Sequence, residues 1–366
     1  MITAAVTESA SAPFALDKLY LDPPRAGEIL VRLAGTGVCH TDLVARDQVY
    51  PVPLPAVLGH EGAGVVQDVG DDVTGVEPGD HVVLTYDSCG SCRSCVQGRP
   101  ARCADFSRYN FAGTRPDGST PLRRPSGEVH GWFFGQSSFA THAITTPRNT
   151  VPVRKDVPLH LLGPLGCAVQ TGAGSVLNSL RCEAGSSLAV FGAGSVGCAA
   201  VLAAALAGCT PIIVVSRNVD RLRLAAELGA THIVRAEKNG EDPVDTIREI
   251  TGGGTDFSVE TTAVPAVLRQ AVDCLGQGGV CGHLGAAAPG TEVTLDMSSL
   301  LFNRQIRGVV EGDSVPRLFI PALIELYRQG RFPLDKLITT YPLSEINTAI
   351  GESSRRPTPK VVLTFD

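Results

Sequence analysis

Aromatic residues are scarce in this chain, 5% of the total with a single tryptophan, and methionine occurs only twice. A core drawn from such a composition packs small aliphatic side chains, and 40 glycines imply many tight turns. Long apolar runs are missing as well: the longest, Cys198 to Ala207, is too short and too rich in alanine to cross a bilayer. Residues 1–15 lack a basic head followed by an apolar stretch, so no secretory leader is expected, and eleven cysteines then point to a reducing, cytoplasmic compartment. No Lys/Arg run forms a basic stripe; the densest basic spots, Arg123-Arg124 and Arg355-Arg356, stand beside prolines as expected loop residues. With a net charge of -6, this argues against a nucleic acid or a membrane surface as partner.

What is present divides the chain into two textures. At 366 residues it is too long for one compact core and fits two domains. The first part, to about Val153, reads as short strands broken by turns: Ile29–Leu33, Gly64–Val69 and His81–Leu84, with a turn at Glu77-Pro78-Gly79-Asp80. From about Gly163, apolar strands alternate with helical segments. Ser187–Phe191, Pro211–Val215, Ile233-Val234, Phe257–Glu260 and Gly279–Leu284 are the strands, and helices are expected to Ala207 and over Arg221–Leu228, Val244–Ile250 and Val264–Leu275. Such alternation predicts a parallel, doubly wound sheet. A helix at Ile320–Tyr327 and a closing strand at Lys360–Phe365 then return the chain to the β-rich part. The expected class is α/β, with the doubly wound domain at 164–302 inserted between 1–163 and 303–366 of a β-rich domain.

Cys89, Cys92, Cys95 and Cys103 fall close together, and the residues between them, Gly90, Ser91, Arg93, Ser94, Gln97 and Gly98, are loop chemistry. Four thiolates at this spacing suit a closed tetrahedral zinc site, which leaves no position for water. Zinc would hold a lobe at 86–105 and do no chemistry there.

Gly192-Ala193-Gly194-Ser195-Val196-Gly197 matches G-x-G-x-x-G after an apolar strand and before a helix, the context that a dinucleotide-binding turn requires. Gly192 allows the turn, Gly194 lets backbone approach a pyrophosphate, and Gly197 lets helix and strand pack closely. The helix N-terminus supplies free N–H donors to the phosphates. At the end of the second strand, Val215-Ser216-Arg217-Asn218 offers no carboxylate for ribose hydroxyls. Ser216 can donate to a 2′-phosphate and Arg217 with Arg221 can pair with it, so NADP is expected over NAD; the alternative is an Arg217 that stacks on adenine or is merely solvated. Asp220 is the nearest carboxylate and belongs to the following helix.

A second set of metal-ligand types is dispersed: Cys39 in Cys39-His40-Thr41-Asp42, His60 in Gly59-His60-Glu61, and Cys167 in Gly166-Cys167-Ala168. Together they can supply Cys₂His with one position open, the set of a catalytic zinc. With these residues, the cysteine quartet and the glycine turn, the chain resembles the zinc-dependent medium-chain alcohol dehydrogenases over essentially its whole length. Gly312-Asp313-Ser314, Pro316 and Phe319-Ile320-Pro321 look most like the aryl- or benzyl-alcohol branch.

The resemblance implies a GroES-like catalytic domain with an inserted Rossmann domain, two zinc ions per subunit, and reversible hydride transfer between a primary, aromatic or allylic alcohol and NAD(P). A terpene-alcohol or glutathione-adduct formaldehyde dehydrogenase, or a non-catalytic crystallin-like member, are the alternatives. It gives Thr41 the substrate oxygen and its proton, Asp42 the orientation of His60, and Glu61 either a place beside the metal or a surface salt bridge. His40 and Lys360 are expected against the cofactor phosphates, and Thr171 against the cofactor. Val44 stands where animal members end the proton relay with histidine, so the relay must end on a ribose hydroxyl, water or another base. Tyr86 and Trp132-Phe133-Phe134 are candidates to face an aromatic substrate, the latter equally as lobe core; Leu300, Leu301 and Phe302 either line the mouth or meet a second subunit. A homodimer or homotetramer joined through the edges of the Rossmann sheets is implied. Cys182, Cys198, Cys209, Cys274 and Cys281 read as small buried residues.

Overall fold

The structure, a computed structural model, describes residues 1–237, 240, 242–353 and 356–365. Arg355 of the second basic spot therefore lies outside the described residues. Two sheets share the β-rich part. One is antiparallel, in the order Ala56–Val57, Ile2–Thr7, Ala15–Leu21, Leu122–Arg124, Gly127–Val129. The other runs Thr150–Val153, His81–Leu84, Gly62–Val69, Ile29–Val38, Lys360–Thr364, Ile338–Pro342, with His142–Thr145 also paired to Ile29–Val38. Arg123 and Arg124, expected in a loop, end a strand of the first sheet, and Arg124 is held by Glu8 and Asp17.

The last strand carries the chain home. Its Val361, Val362, Leu363 and Thr364 pair antiparallel with Val38, Gly37, Thr36 and Gly35. That register sets Lys360 just beyond Val38, at the threshold of Cys39. Among the described residues, no helix is long and apolar enough to cross a membrane.

The third sheet is parallel throughout, in the order His232–Arg235, Ile212–Ser216, Leu188–Phe191, Thr255–Glu260, Leu275–His283, Gln305–Gly308. The order reverses between Leu188–Phe191 and Thr255–Glu260, the crevice where doubly wound sheets bind ligands. Every strand read in this region is present, and the helices Ser195–Ala207, Val219–Glu227, Pro243–Thr251 and Pro265–Asp273 lie where they were expected. The expected return at 303 comes one strand early, because Gln305–Gly308 still belongs to this sheet. Its residues are all exposed at the sheet edge, so no apolar pattern marks it. The five spare cysteines are buried, as expected.

Candidate active site

Cys39 ends the long strand Ile29–Val38 and caps the helix His40–Arg46. The cap is built by Asp42, whose Oδ2 accepts the Cys39 N–H at 2.8 Å. Its Oδ1 takes His60 Nδ1 at 2.6 Å and the Gly59 N–H at 3.2 Å. One fully buried carboxylate therefore fixes both the helix start and the imidazole. His60 Nε2 is left buried with no hydrogen-bond partner. Ligand atoms of Cys39, His60, Glu61 and Cys167 lie within 4.8 Å of one another. A buried, unpaired imidazole nitrogen aimed among two thiols fits a zinc ion and little else. The hydrogen-bonded Cys167 thiol, with His60 behind it, holds the Cys39 thiol well below its ordinary pKa. Burial opposes charge on His60, but Asp42 outweighs it and raises its pKa well above the usual value.

Glu61 is fully buried, which removes the surface salt bridge as an account of it. Burial pushes its carboxyl up to about 7. Its Oε2 meets Lys360 Nζ at 2.5 Å, and its Oε1 accepts the Ala168 N–H at 3.2 Å. Lys360, expected against a phosphate, is found elsewhere engaged: at 1% exposure its ammonium sits on Glu61 and the Val38 carbonyl.

A cavity of about 560 Å³ opens from this cluster. Cys39, Thr41, Cys167 and Thr171 line one end, and Val196 of the glycine turn joins them. The rest of the wall is Tyr50, Pro51, Phe106, Phe111, Phe134, Leu284, Ala286, Val309 and Val310, with Ser107 and Glu311. Phe134 is the member of the aromatic run that reaches it, stacked on the His60 ring at 4.5 Å. Trp132 and Phe133 are core, the former under the Arg115 guanidinium. Tyr86 does not line the cavity; its buried hydroxyl donates to the Ser314 carbonyl at 2.9 Å. Leu300 packs in the nucleotide domain while Leu301 and Phe302 are exposed, and none of the three lines the cavity.

Sequence reasoning missed Tyr50, Phe106, Phe111 and Glu311. Phe106 and Phe111 begin and end a short helix directly after Cys103, a signal that was available. Tyr50 and Glu311 sit in turns and carry none.

The glycine turn has the form its motif requires. Gly192 has φ +104°, and a Cβ there would meet Thr261 Oγ1. A Cβ on Gly197 would lie 1.9 Å from the Gly192 carbonyl oxygen, so only glycine lets helix and strand approach. Gly194 faces open space, a cradle for a phosphate group. Ser195 opens the helix beyond it. At the next strand end, Ser216 Oγ accepts the Asn218 N–H at 3.3 Å, and Arg217 is exposed. Arg221 is not free to join it: its guanidinium donates to the carbonyls of Ser353 and Arg356. Asp220 turns to Arg223 at 3.0 Å. His40 is exposed at the start of its helix.

The quartet forms a separate lobe with its four sulfurs within 4.8 Å of one another. Backbone N–H groups orient them: Cys92 N–H donates to Cys89 Sγ at 3.2 Å, and Cys89 N–H to Cys103 Sγ at 3.3 Å. Such donors stabilise thiolates, and those from Ser91 and Cys92 bring the Cys89 thiol down to about 6. The set fits a closed zinc site.

Comparison with known proteins agrees with this geometry. Residues 25–155 match the alcohol dehydrogenase GroES-like domain, and residues 195–328 match the zinc-binding dehydrogenase domain. Geraniol dehydrogenase of Castellaniella defragrans is 44% identical over 364 residues, covering 99% of this chain and 97% of the relative. A crystal structure of an alcohol dehydrogenase zinc-binding domain protein from Burkholderia ambifaria superposes with a TM-score of 0.97 at 53% identity, covering 100% and 99% of the two chains. Benzyl alcohol dehydrogenase from Acinetobacter calcoaceticus follows at 0.95 and 47%, with the same coverage. The chain belongs to the zinc-dependent medium-chain alcohol dehydrogenases, enzymes that use NAD(P).

Proposed function

We propose that this enzyme oxidises primary aromatic or allylic alcohols to aldehydes, reversibly, with NADP favoured over NAD. The observation that carries the substrate class is the cavity wall: aromatic and aliphatic side chains around a thiol and imidazole cluster, with Glu311 as the one charged residue apart from the cluster. A flat, apolar alcohol such as benzyl alcohol or geraniol matches such a wall. A glutathione adduct carries carboxylates, for which this wall offers no Lys or Arg.

In this reading Cys39, His60 and Cys167 would hold a zinc ion, which would supply Lewis acidity to an alcohol hydroxyl or an aldehyde carbonyl. A nicotinamide cofactor held at the glycine turn would supply the hydride acceptor. Thr41 hydrogen-bonds the substrate oxygen and receives its proton. Asp42 keeps the His60 Nδ1 proton in place, leaving Nε2 for the metal. Glu61 stands beside the ligands with Lys360 as its counter-charge. Val44 is buried and cannot carry the proton onward, so the relay leaves Thr41 through a ribose hydroxyl or water.

Gly192, Gly194, Ser195, Val196 and Gly197 would bind the pyrophosphate, while His40 and Thr171 would complete the cofactor site. Ser216 and Arg217 meet the 2′-phosphate without Arg221. Arg217→Ala is expected to lower kcat/KM with NADP by about 10- to 100-fold, the worth of a charge-assisted hydrogen bond, and to leave NAD nearly unchanged. An NAD advantage in the unmodified enzyme would end the NADP assignment.

The quartet takes a second zinc. All eleven cysteines are free, which suits a cytoplasmic protein. Exposed Leu301, Phe302 and Ile306 beside the open edge strand favour a homodimer or homotetramer. The test of the whole reading is a panel of benzyl alcohol, geraniol and hydroxymethylglutathione with both cofactors. Turnover confined to the glutathione adduct would overturn it.

A further inference from the structure

Glu311 is the charged side chain of the cavity for which the chemistry above has no task. It is 7% exposed, in a wall shared with Val309, Val310, Leu284 and Ala286. Its carboxylate meets only neutral donors: Gln170 Nε2 at 3.0 Å and Thr171 Oγ1 at 3.5 Å. Among the described residues no Lys or Arg pairs with it, and the nearby arginines are engaged, Arg102 with Asp313 and Arg307 with the Ser179 carbonyl. Burial pushes the carboxyl up to about 7. The contrast with Glu61 is direct, since that buried carboxylate has Lys360.

The backbone spends strain to put Glu311 there. Its φ is +50°, and Gly312 and Asp313 follow at +64° and +49°. Each non-glycine residue in this region costs on the order of 1 kcal/mol. The turn is over-determined by its surroundings: Ser314 Oγ donates to the Glu311 carbonyl at 2.7 Å, and Asp313 is held by Arg102 and by Ser179. Strain held this firmly beside a reaction centre points to a task for the side chain.

A buried carboxylate in a folded protein is normally paired with a cation. The chain places no Lys or Arg here; the His60 imidazole acts on Glu311, but its charge, like that of an ion held beside it, is shared with the Cys39 and Cys167 sulfurs, so a further cation would arrive with an occupant. On that reading a hydride acceptor must lie within reach of both the phosphate cradle, where Val196 lines the cavity, and the Cys39–Cys167 cluster, where the alcohol would bind. Thr171 and Glu311 line the same cavity and touch one another. The oxidised nicotinamide ring carries a positive charge and the reduced ring carries none. We propose that Glu311 is the counter-charge of the oxidised nicotinamide, so that the cavity distinguishes oxidised from reduced cofactor electrostatically.

The inference rests on the reading that this chain binds a nicotinamide dinucleotide for hydride transfer. Its test is direct binding, without turnover. Dissociation constants are measured by calorimetry for NADP⁺ and NADPH, and in parallel for NAD⁺ and NADH, on zinc-loaded protein and on Glu311→Gln, Glu311→Met and Glu311→Asp. The two charge-free variants should weaken the oxidised form about tenfold (about 1.4 kcal/mol) and leave the reduced form within about twofold. Glu311→Asp, which keeps the charge, should keep most of the discrimination. Equal weakening of both forms, or no change in either, would overturn the proposal and leave Glu311 a shaper of the turn. Failure of the unmodified protein to bind any of the four would instead overturn the dinucleotide reading, and this inference with it.

Discussion

His60→Ala is expected to lower kcat/KM for alcohol oxidation by at least about 10³-fold, with the chain still folded and its zinc content reduced from two ions to one. Three ligands are the least that holds a catalytic zinc with one position open. The Nε2 atom is buried and otherwise unpaired, so alanine leaves two thiols and a Glu61 carboxylate already taken by Lys360, a poorer set for the ion. A thousandfold loss corresponds to about 4 kcal/mol of transition-state stabilisation, within what a Lewis acid at a reacting oxygen supplies. Asp42→Asn should fall between this variant and the unmodified enzyme. It keeps the imidazole but weakens its hold on Nδ1, and partners behind a metal ligand are worth about 10- to 100-fold. Zinc analysis beside steady-state kinetics reads both effects. A His60→Ala enzyme that retains both ions and turns over within tenfold of the original would remove His60 from the reaction.

How far this site could be read from sequence depended on how local each signal was. The glycine turn and the quartet are contiguous, so residue type and spacing carried them, and the structure supplied detail such as the N–H donors to Cys89 and Cys103. Cys39, His60 and Cys167 were legible by type alone, while the resemblance brought them together. The ion pair of Lys360 was not legible because its neighbours are set by the pairing of Val361 with Val38, across nearly the whole chain. No local feature separates a lysine that closes a buried ion pair from one that reaches a phosphate. The run Trp132-Phe133-Phe134, which left cavity and core both open, could not be divided for another reason. Phe134 adopts φ +53°, which breaks regular alternation and turns it to the cavity while its neighbours enter the core. Glu311 combines both difficulties, being a single acid in a left-handed turn whose partners, Gln170 and Thr171, lie on a distant helix.

Removing one thiol of the quartet, as in Cys92→Ser, should abolish the second zinc and lower the thermal midpoint by about 10 °C or more. Structural zinc contributes folding free energy outright, about 10–16 kcal/mol of apparent binding in small zinc-folded peptides. A loss of even a third of that is large against the 5–15 kcal/mol that stabilises a typical domain, and each kcal/mol moves the midpoint of a domain this size by about 2–4 °C. The lobe is loop-rich, with one-turn helices at Arg93–Val96 and Pro100–Arg102, so little else holds it. The damage should nonetheless reach the chemistry. Arg102 of the lobe pairs with Asp313 at 2.8 Å, Tyr86 ahead of it holds the Ser314 carbonyl, and Phe106 and Phe111 just behind it line the cavity. Loosening the lobe therefore frees the strained turn that carries Glu311 and opens one wall of the substrate site. Limited proteolysis should cut first between residues 90 and 102, and activity should decay with that cleavage while the nucleotide-binding domain stays intact. A Cys92→Ser protein with an unchanged midpoint and two ions would mean that the quartet is not a zinc site. A lowered midpoint with full activity would mean that the lobe holds the fold but not the cavity.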